Sequence, residues 1–246
     1  MTNLSRLDVS CLLAVSLAVF VLPATSRAQT RSPIAEQIAK TYGLDSFGQV
    51  EAIRYTFNVQ LPGLNVSRSW VWQPKTGQVS YEGKAKSGKP VKVTYLQSHL
   101  YEQSAIVKDE VDPAFVNDNY WLILPFHVYW DSPGADVQDK GMQKLPLAKG
   151  SAKLVAVKYS SKHGYTPGDT WDLYVGSDNR IEELVYHRGG PAKPSLVTVS
   201  WEGYKKAGPL LISTEHQGTA DGQPLHIFFS NVAVKLKGSD TWVDAQ

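Results

Sequence analysis

The sequence predicts a mainly β protein built around one antiparallel sheet, and three observations support that prediction. About ten runs have the period-two alternation, or the β-branched and aromatic composition, of strands. Polar turns rich in Gly, Pro, Asn and Asp separate the runs at hairpin spacing. Helical spacing of apolar residues is confined to the start of the chain and a short segment in its middle. This combination is typical of an antiparallel meander with few helices.

Residues 1–28 have the parts of a cleaved secretory signal peptide. After a basic start, Cys11–Leu22 form an apolar run that is too short to span a membrane. Ser26-Arg27-Ala28 then places small residues where a signal peptidase cuts. We therefore expect an exported protein, periplasmic or secreted, that is not an integral membrane protein and whose residues 29–246 form one domain. The only cysteine, Cys11, would leave with the signal, so we expect no disulfide.

An N-terminal helix is predicted to begin at Ser32-Pro33, since Ser can cap a helix and Pro fits its first turn. Apolar residues follow at helical spacing, and Gly43 offers a C-terminal stop. The first strand is predicted over residues 52–61, where apolar and polar residues alternate. Further strands are predicted at Val66–Gln73, Val79–Gly83, Val91–Leu96, Lys153–Tyr159, Thr170–Gly176, Ile181–Arg188, Leu196–Glu202, Leu210–His216 and Pro224–Leu236.

Three local features complete the sequence prediction. The alternation in the last strand changes phase, which predicts a β-bulge near Ser230-Asn231. Asp131–Gly150 is predicted to be a polar loop. Ala114–Asp118 is predicted to supply one or two helical turns before Tyr120–Trp130, which is apolar almost throughout. Such continuous apolarity predicts a segment covered on both sides, or covered on one side and facing a ligand on the other.

No arrangement of residues in the sequence predicts catalysis. The six histidines show no metal-binding spacing, and His187 and His226 are expected to face solvent or a hydrogen bond. There is no G-x-S-x-G segment and no phosphate-binding loop. The net charge of +2, without a basic block, argues against nucleic-acid binding. We expect no catalytic residue, metal site or cofactor, although Asp131, Asp136 and Asp172 keep a hydrolase open as a less favoured alternative.

The order of several short motifs resembles the LolA/LolB-like superfamily of exported bacterial proteins. After the N-terminal helix come Tyr-Thr-Phe-Asn-Val at residues 55–59 and Trp70-Val71-Trp72. Asn-Asp-Asn-Tyr-Trp-Leu follows at residues 117–122, Thr-Pro-Gly-Asp-Thr-Trp at residues 166–171, and Phe-Ser-Asn-Val at residues 229–232. The resemblance covers nearly the whole chain after the signal peptide.

This resemblance implies a single curved sheet of about 10–11 strands that forms a half-open barrel with a short helical cover. It also implies a monomeric, non-enzymatic carrier whose partner is a lipid or an acylated lipoprotein. The alternative is an envelope module with a filled core that binds a protein partner through a sheet edge. The residues expected to contact cargo are Trp70, Trp72, Tyr120, Trp121, Leu124, Phe126, Trp130 and Trp171.

Overall fold

The computed structural model describes residues 31–161, 167–189 and 195–246. The predicted signal peptide, residues 1–28, lies outside the described residues. All strands in these described ranges belong to one antiparallel sheet. They are β1 (Val50–Leu61), β2 (Leu64–Gln73), β3 (Gln78–Lys84), β4 (Pro90–Leu96), β5 (Ala135–Lys144), β6 (Ser151–Tyr159), β7 (Thr170–Val175), β8 (Ile181–His187), β9 (Leu196–Ser200), β10 (Glu202–Ala207), β11 (Leu210–Ala220), β12 (Gln223–Leu236) and β13 (Trp242–Asp244).

The sheet is open and curved, as the half-open barrel prediction requires. Neighbouring strands follow the order β4-β3-β2-β1-β12-β11-β9-β8-β7-β6-β5. β10 adds to β11, and β13 adds to β12. β4 and β5 lie at the two ends of this path, so each leaves one edge without a neighbouring strand among the described residues. The pairing of β1 with β12 joins the first strands of the chain to the last.

Three helices accompany the sheet in the described part of the chain. They are α1 (Pro33–Thr41), α2 (Leu44–Phe47) and α3 (Asp112–Asp131). A 3₁₀ turn at Gln97–Glu102 and a π-helical turn at Val107–Val111 lead into α3. None of these helices is both long and apolar enough to cross a membrane.

α3 corrects the prediction of only one or two helical turns at Ala114–Asp118. The helix is 20 residues long and contains the whole apolar segment Tyr120–Trp130. Pro125 lies inside the helix, and Ile123 departs from helical geometry at φ −125° and ψ 32°. Because proline donates no backbone hydrogen bond and crowds the preceding turn, it accounts for this kink. α3 packs between α1 and the sheet, so both of these faces of the Tyr120–Trp130 segment are covered. A helix covered in this way is apolar on every side.

The sheet curls around α3, because the helix contacts strands from both halves of the sheet. Phe115 lies 5.4 Å from the ring of Trp70 on β2. Six residues further on, Trp121 lies 5.3 Å from the ring of Trp171 on β7. The distances join ring centroids. β2 and β7 are each two strands from an end of the sheet. α3 therefore fills the concave face of the half-barrel and provides its helical cover.

The predicted bulge near Ser230-Asn231 is confirmed by the register of β1 and β12. Arg54 pairs with Ala233, but Thr56 pairs with Ser230, so β12 has one extra residue between these pairs. Asn231 adopts a left-handed conformation with φ 54°, which Asn tolerates better than most residues. The bulge resets which side chains of β12 face the core.

The prediction of a polar loop over Asp131–Gly150 is wrong, since β5 lies within it. β10 and β13 were not predicted either, and the sheet has 13 strands instead of about 10–11. β5 is an edge strand whose side chains are almost all exposed. Polar residues therefore occupy both of its faces, and no alternation identifies it as a strand.

Candidate functional site

Two adjoining cavities lie where α3 meets β2 and α2. The first, which we call the His127 cavity, has a volume of about 210 Å³. The second, the Phe47 cavity, has a volume of about 370 Å³. Trp72 and Trp130 line both cavities and form the boundary between them. The His127 cavity is also lined by Gln97, Phe115, Val116, Asn119, Tyr120, His127 and Asp131, and the Phe47 cavity by Phe47, Gly48, Val50, Pro74 and Lys75.

The structure separates the residues that were expected to contact cargo into two sets. Trp72, Tyr120 and Trp130 line the cavities. The other five belong only to the packed core, and none of them is more than 5% exposed. This second set consists of Trp70, Trp121, Leu124, Phe126 and Trp171.

The boundary between the cavities is aromatic and is built by three elements. Phe47 of α2 makes an edge-on contact with Trp130 of α3 at 4.9 Å. Its ring also lies 6.5 Å from the ring of Trp72 on β2. Trp72 and Trp130 are only half-buried, so part of each indole faces the cavities. Large, stiff rings of this kind are typical walls of sites that bind apolar molecules.

The His127 cavity has a polar end on α3. His127 Nε2 hydrogen-bonds Asn119 Oδ1 at 2.8 Å, and the imidazole stacks on the Tyr120 ring at 3.8 Å. Tyr120 donates its hydroxyl to Asp131 Oδ2 at 2.7 Å. Tyr159 of β6 donates to the same oxygen at 3.3 Å. The polar groups are thereby held in fixed positions beside the aromatic wall.

Burial determines the charge states at this end of the cavity. It lowers the pKa of His127 to about 3, so the imidazole is neutral at physiological pH. Burial also raises the pKa of the Asp131 carboxyl, and the hydrogen bonds from Tyr120 and Tyr159 offset only part of that effect. Among the described residues, no Lys or Arg forms an ion pair with Asp131. The cavity therefore contains an acidic group without a basic partner.

His127 and Asp131 form a histidine–acid pair of the kind that a hydrolase would use. His127 Nδ1 lies 3.7 Å from Asp131 Oδ2, and Nε2 is already bound to Asn119. No Ser, Thr or Cys is among the described residues that line this cavity. Of the other acids considered from the sequence, Asp136 is exposed on β5 and Asp172 pairs with His187. What the lining supports directly is binding through aromatic surface and hydrogen bonds.

A second aromatic cluster, which we call the Trp121 cluster, lies against β7, β8 and β11 and is closed. It consists of Trp121, Trp171, Tyr186, Trp201 and His216. Trp201 stacks near His216 at 4.0 Å, and Trp121 lies 6.2 Å from Trp201. His216 is completely buried and neither ring nitrogen makes a hydrogen bond of normal length. Burial lowers its pKa to about 3.

A buried ion pair attaches α3 to β2 beside the cavities. Asp118 is fully buried and accepts hydrogen bonds from Arg68 Nε at 2.7 Å and Arg68 Nη2 at 2.6 Å. The Trp70 indole and the Asn117 amide donate to the same carboxylate at 2.9 and 3.0 Å. Burial raises the pKa of Asp118, while the bonds from Arg68 act in the opposite direction. This ion pair fixes the position of α3 on the sheet, and therefore the position of the cavity wall that α3 provides.

The sequence analysis missed most of the cavity lining, although one signal was present. Asn119, His127 and Asp131 are spaced by multiples of four, which places them on one face of a helix. That signal appears only once the apolar segment is assigned as helix. Phe47 and Gln97, from distant parts of the chain, join the site through the fold alone.

Other histidines behave as the sequence indicated. His187 Nε2 lies 3.1 Å from Asp172 Oδ2 on an exposed strand surface. His226 Nε2 lies 2.7 Å from Glu215 Oε2. The prediction that these two side chains face solvent or a hydrogen bond is therefore confirmed. Within the described ranges, no three His, Cys, Asp or Glu side chains are grouped in a way that could hold a metal ion.

No protein-family model matches this chain, and no curated protein sequence matches it. Among solved structures, the chain is similar to a DUF1329 family protein from Desulfovibrio piger, with 9% identity and a TM-score of 0.45. That match covers 84% of this chain and 94% of the other. The chain is also similar to the LolA superfamily protein NE2245 from Nitrosomonas europaea, with 10% identity and a TM-score of 0.42, over 83% and 94% of the two chains.

Proposed function

We propose that this protein is a non-enzymatic carrier in the bacterial periplasm that holds a lipid or the acyl chain of a lipoprotein. One observation carries the proposal: two adjoining cavities with aromatic walls share Trp72 and Trp130 where α3 covers the open sheet. A site of this kind offers much apolar contact and few polar groups, which suits a hydrocarbon chain.

The Phe47 cavity supports this proposal by its size and its lining. At about 370 Å³ it falls within the range of about 300–1,000 Å³ that is typical of small-molecule sites. Each buried methylene contributes about 0.8 kcal/mol, so roughly ten of them would contribute on the order of 8 kcal/mol before binding costs. Apolar contact is therefore the main favourable contribution that this cavity offers to a bound chain.

The residues predicted from the sequence then take two different roles. Trp72, Tyr120 and Trp130 contact the cargo directly, because they line the cavities. Trp70, Trp121, Leu124, Phe126 and Trp171 support the wall from the core, and would contact cargo only if α3 were displaced from the sheet.

A second candidate function is an envelope module that binds a protein partner. Two observations favour it: the Trp121 cluster is packed shut, and β4 and β5 present open strand edges. A partner strand could pair with either edge through backbone hydrogen bonds. This candidate requires no ligand in the cavities.

Native mass spectrometry of the protein purified from its own cell envelope distinguishes the two functions. A carrier co-purifies with a lipid or an acylated species and, once emptied, binds a fluorescent fatty acid. The variants Trp72→Leu and Trp130→Leu should weaken that binding at least tenfold, because each removes a wall of both cavities. Trp242→Leu is the matched control, since Trp242 is also half-buried but packs on Arg54. If nothing co-purifies and no fatty acid binds, the carrier proposal is wrong.

A further inference from the structure

The His127 cavity combines four aromatic rings with one carboxylate. Trp72, Phe115, Tyr120 and Trp130 supply the rings, and Asp131 supplies the carboxylate. We propose that this cavity binds an alkylammonium group, so that the cargo carries a positively charged amine or quaternary ammonium. The inference rests on the proposed carrier function, because it assigns the polar group of the same cargo.

The size of the cavity suits a head group and is too small for a complete lipid. Its volume of about 210 Å³ is below the range of about 300–1,000 Å³ found for drug-sized ligands. A water molecule takes up about 30 Å³, so the space holds a group as large as several waters. A trimethylammonium group, which is compact and nearly spherical, is of this kind.

The electrostatics of the cavity favour a cation. Asp131 is 32% exposed in its side chain, so a ligand in the cavity can approach the carboxylate. The groups that surround it are the Tyr120 and Tyr159 hydroxyls and the His127 imidazole, which is neutral. A bound ammonium would supply the missing positive charge, and aromatic faces attract cations as well.

The same features disfavour an anionic head group. A carboxylate, phosphate or sulfate in this cavity would lie beside Asp131 without a basic side chain to compensate it among the described lining residues. Lys75 is exposed and lines the neighbouring Phe47 cavity, not the His127 cavity. The His127 cavity therefore disfavours an anionic head group by charge, and a fatty acid would instead bind with its tail in the Phe47 cavity, which Lys75 lines.

The two cavities together can hold a head group and its tail. Trp72 and Trp130 line both, so a chain attached to an ammonium in the His127 cavity would pass between these indoles. Its methylenes would then lie against Phe47, Val50 and Pro74. The cargo chemistry that fits is an alkylammonium with an apolar chain, although a free small amine would satisfy the His127 cavity alone.

Isothermal titration of the full chain with three twelve-carbon probes tests this inference. The probes are dodecyltrimethylammonium, dodecyl maltoside and dodecyl sulfate, each below its micelle concentration. We expect the ammonium probe to bind about tenfold tighter than the uncharged maltoside, and the sulfate to bind weakest. Tetramethylammonium, which has no long chain, shows whether the natural ligand is a free amine or a lipid. If it binds as tightly as the twelve-carbon ammonium probe, the ligand is a free amine. If it binds much more weakly, the ligand is lipid-like.

Asp131→Asn removes the charge but keeps an acceptor for the tyrosines, and should abolish the preference of the chain for the ammonium probe over the maltoside probe. Asp109→Asn, at an exposed acid outside the cavity, is the matched control and should keep the preference. Equal wild-type affinity for the ammonium and maltoside probes overturns the inference but leaves the carrier function standing. If none of the three probes binds, both are wrong. The wild-type comparison decides the question even if Asp131→Asn does not fold.

Discussion

α3 takes part in two aromatic regions that have similar composition but different packing. At the Trp121 cluster, a ring from α3 packs against rings carried by the sheet. Trp121, Trp171 and Trp201 are at most 5% exposed, His216 is fully buried, and only Tyr186 is partly exposed. At the cavities, Trp72 and Trp130 remain half-buried and enclose open space. A count of aromatic residues therefore does not identify a binding site.

The difference has a physical cause in the residues around each region. Trp121 meets a ring from each of β7, β8 and β11, so the space between helix and sheet is filled there. The lining of the Phe47 cavity, by contrast, includes Gly48, which has no side chain, and Pro74, which has a short one. Large side chains on one surface of a cavity cannot fill it when the facing residues are small. The aromatic residues of the Trp121 cluster are thus part of the filled core, whereas Trp72 and Trp130 line open space.

The largest expected effect comes from breaking the ion pair that holds α3 over both regions. Asp118→Ala leaves the Arg68 guanidinium and the Trp70 indole without their acceptor in a buried site. We expect the free energy of unfolding to fall by about 3–5 kcal/mol, as is usual when one partner of a buried pair is removed. Urea denaturation measures the change. Asp109→Ala, at an exposed acid, should change it by less than about 0.5 kcal/mol.

The comparison itself is tested by truncating one tryptophan in each region. Trp121→Ala should lower the free energy of unfolding by about 3–5 kcal/mol, since it opens a cavity in a filled core. Trp130→Ala should cost only about 1–2 kcal/mol, because part of the indole already faces open space. Fluorescent fatty acid binding should show the reverse order, with the greater loss in Trp130→Ala at temperatures where both variants are folded. If the two substitutions had equal effects on stability and equal effects on binding, the claim that Trp121 is a core residue and Trp130 a cavity-lining residue would be wrong.

The Trp121 cluster should also make the stability of the protein depend on pH. Burial lowers the pKa of His216 from 6.5 to about 3, so between these values the unfolded state binds more protons than the folded state. Stability is therefore complete above pH 6.5 and is lost as the pH falls towards 3, by about 1.4 kcal/mol per pH unit for this residue. His216→Gln should remove that slope, measured by urea denaturation between pH 7 and pH 4. An unchanged slope would show that His216 is not buried in its neutral form.

The sheet could be predicted because its strands alternate. The odd-numbered residues Ile53, Tyr55 and Phe57 are all buried, as the period of β1 requires. The bulge in β12 also follows from a change of phase. β5 could not be predicted, because an exposed edge strand shows no alternation that identifies a core face.

α3 and the site were harder to predict for a related reason. A helix that is buried on all sides loses its amphipathic period, and Pro125 argues against a helix on local grounds. Whether Trp72 or Trp70 borders open space depends on where α2 and α3 lie on the sheet. That position is set by long-range contacts such as Arg68 with Asp118, which no local pattern indicates.

The central claim, that cargo lies between Trp72 and Trp130, is tested most directly by fluorescence quenching with an alkyl probe that carries bromine on its chain. Bromine quenches only tryptophans that it contacts. The account predicts saturable quenching in the wild-type chain that disappears in the Trp72→Phe/Trp130→Phe double variant and persists when Trp171 and Trp201 are replaced by Phe. Quenching that persists in the double variant, or disappears when Trp171 and Trp201 are replaced, would contradict it.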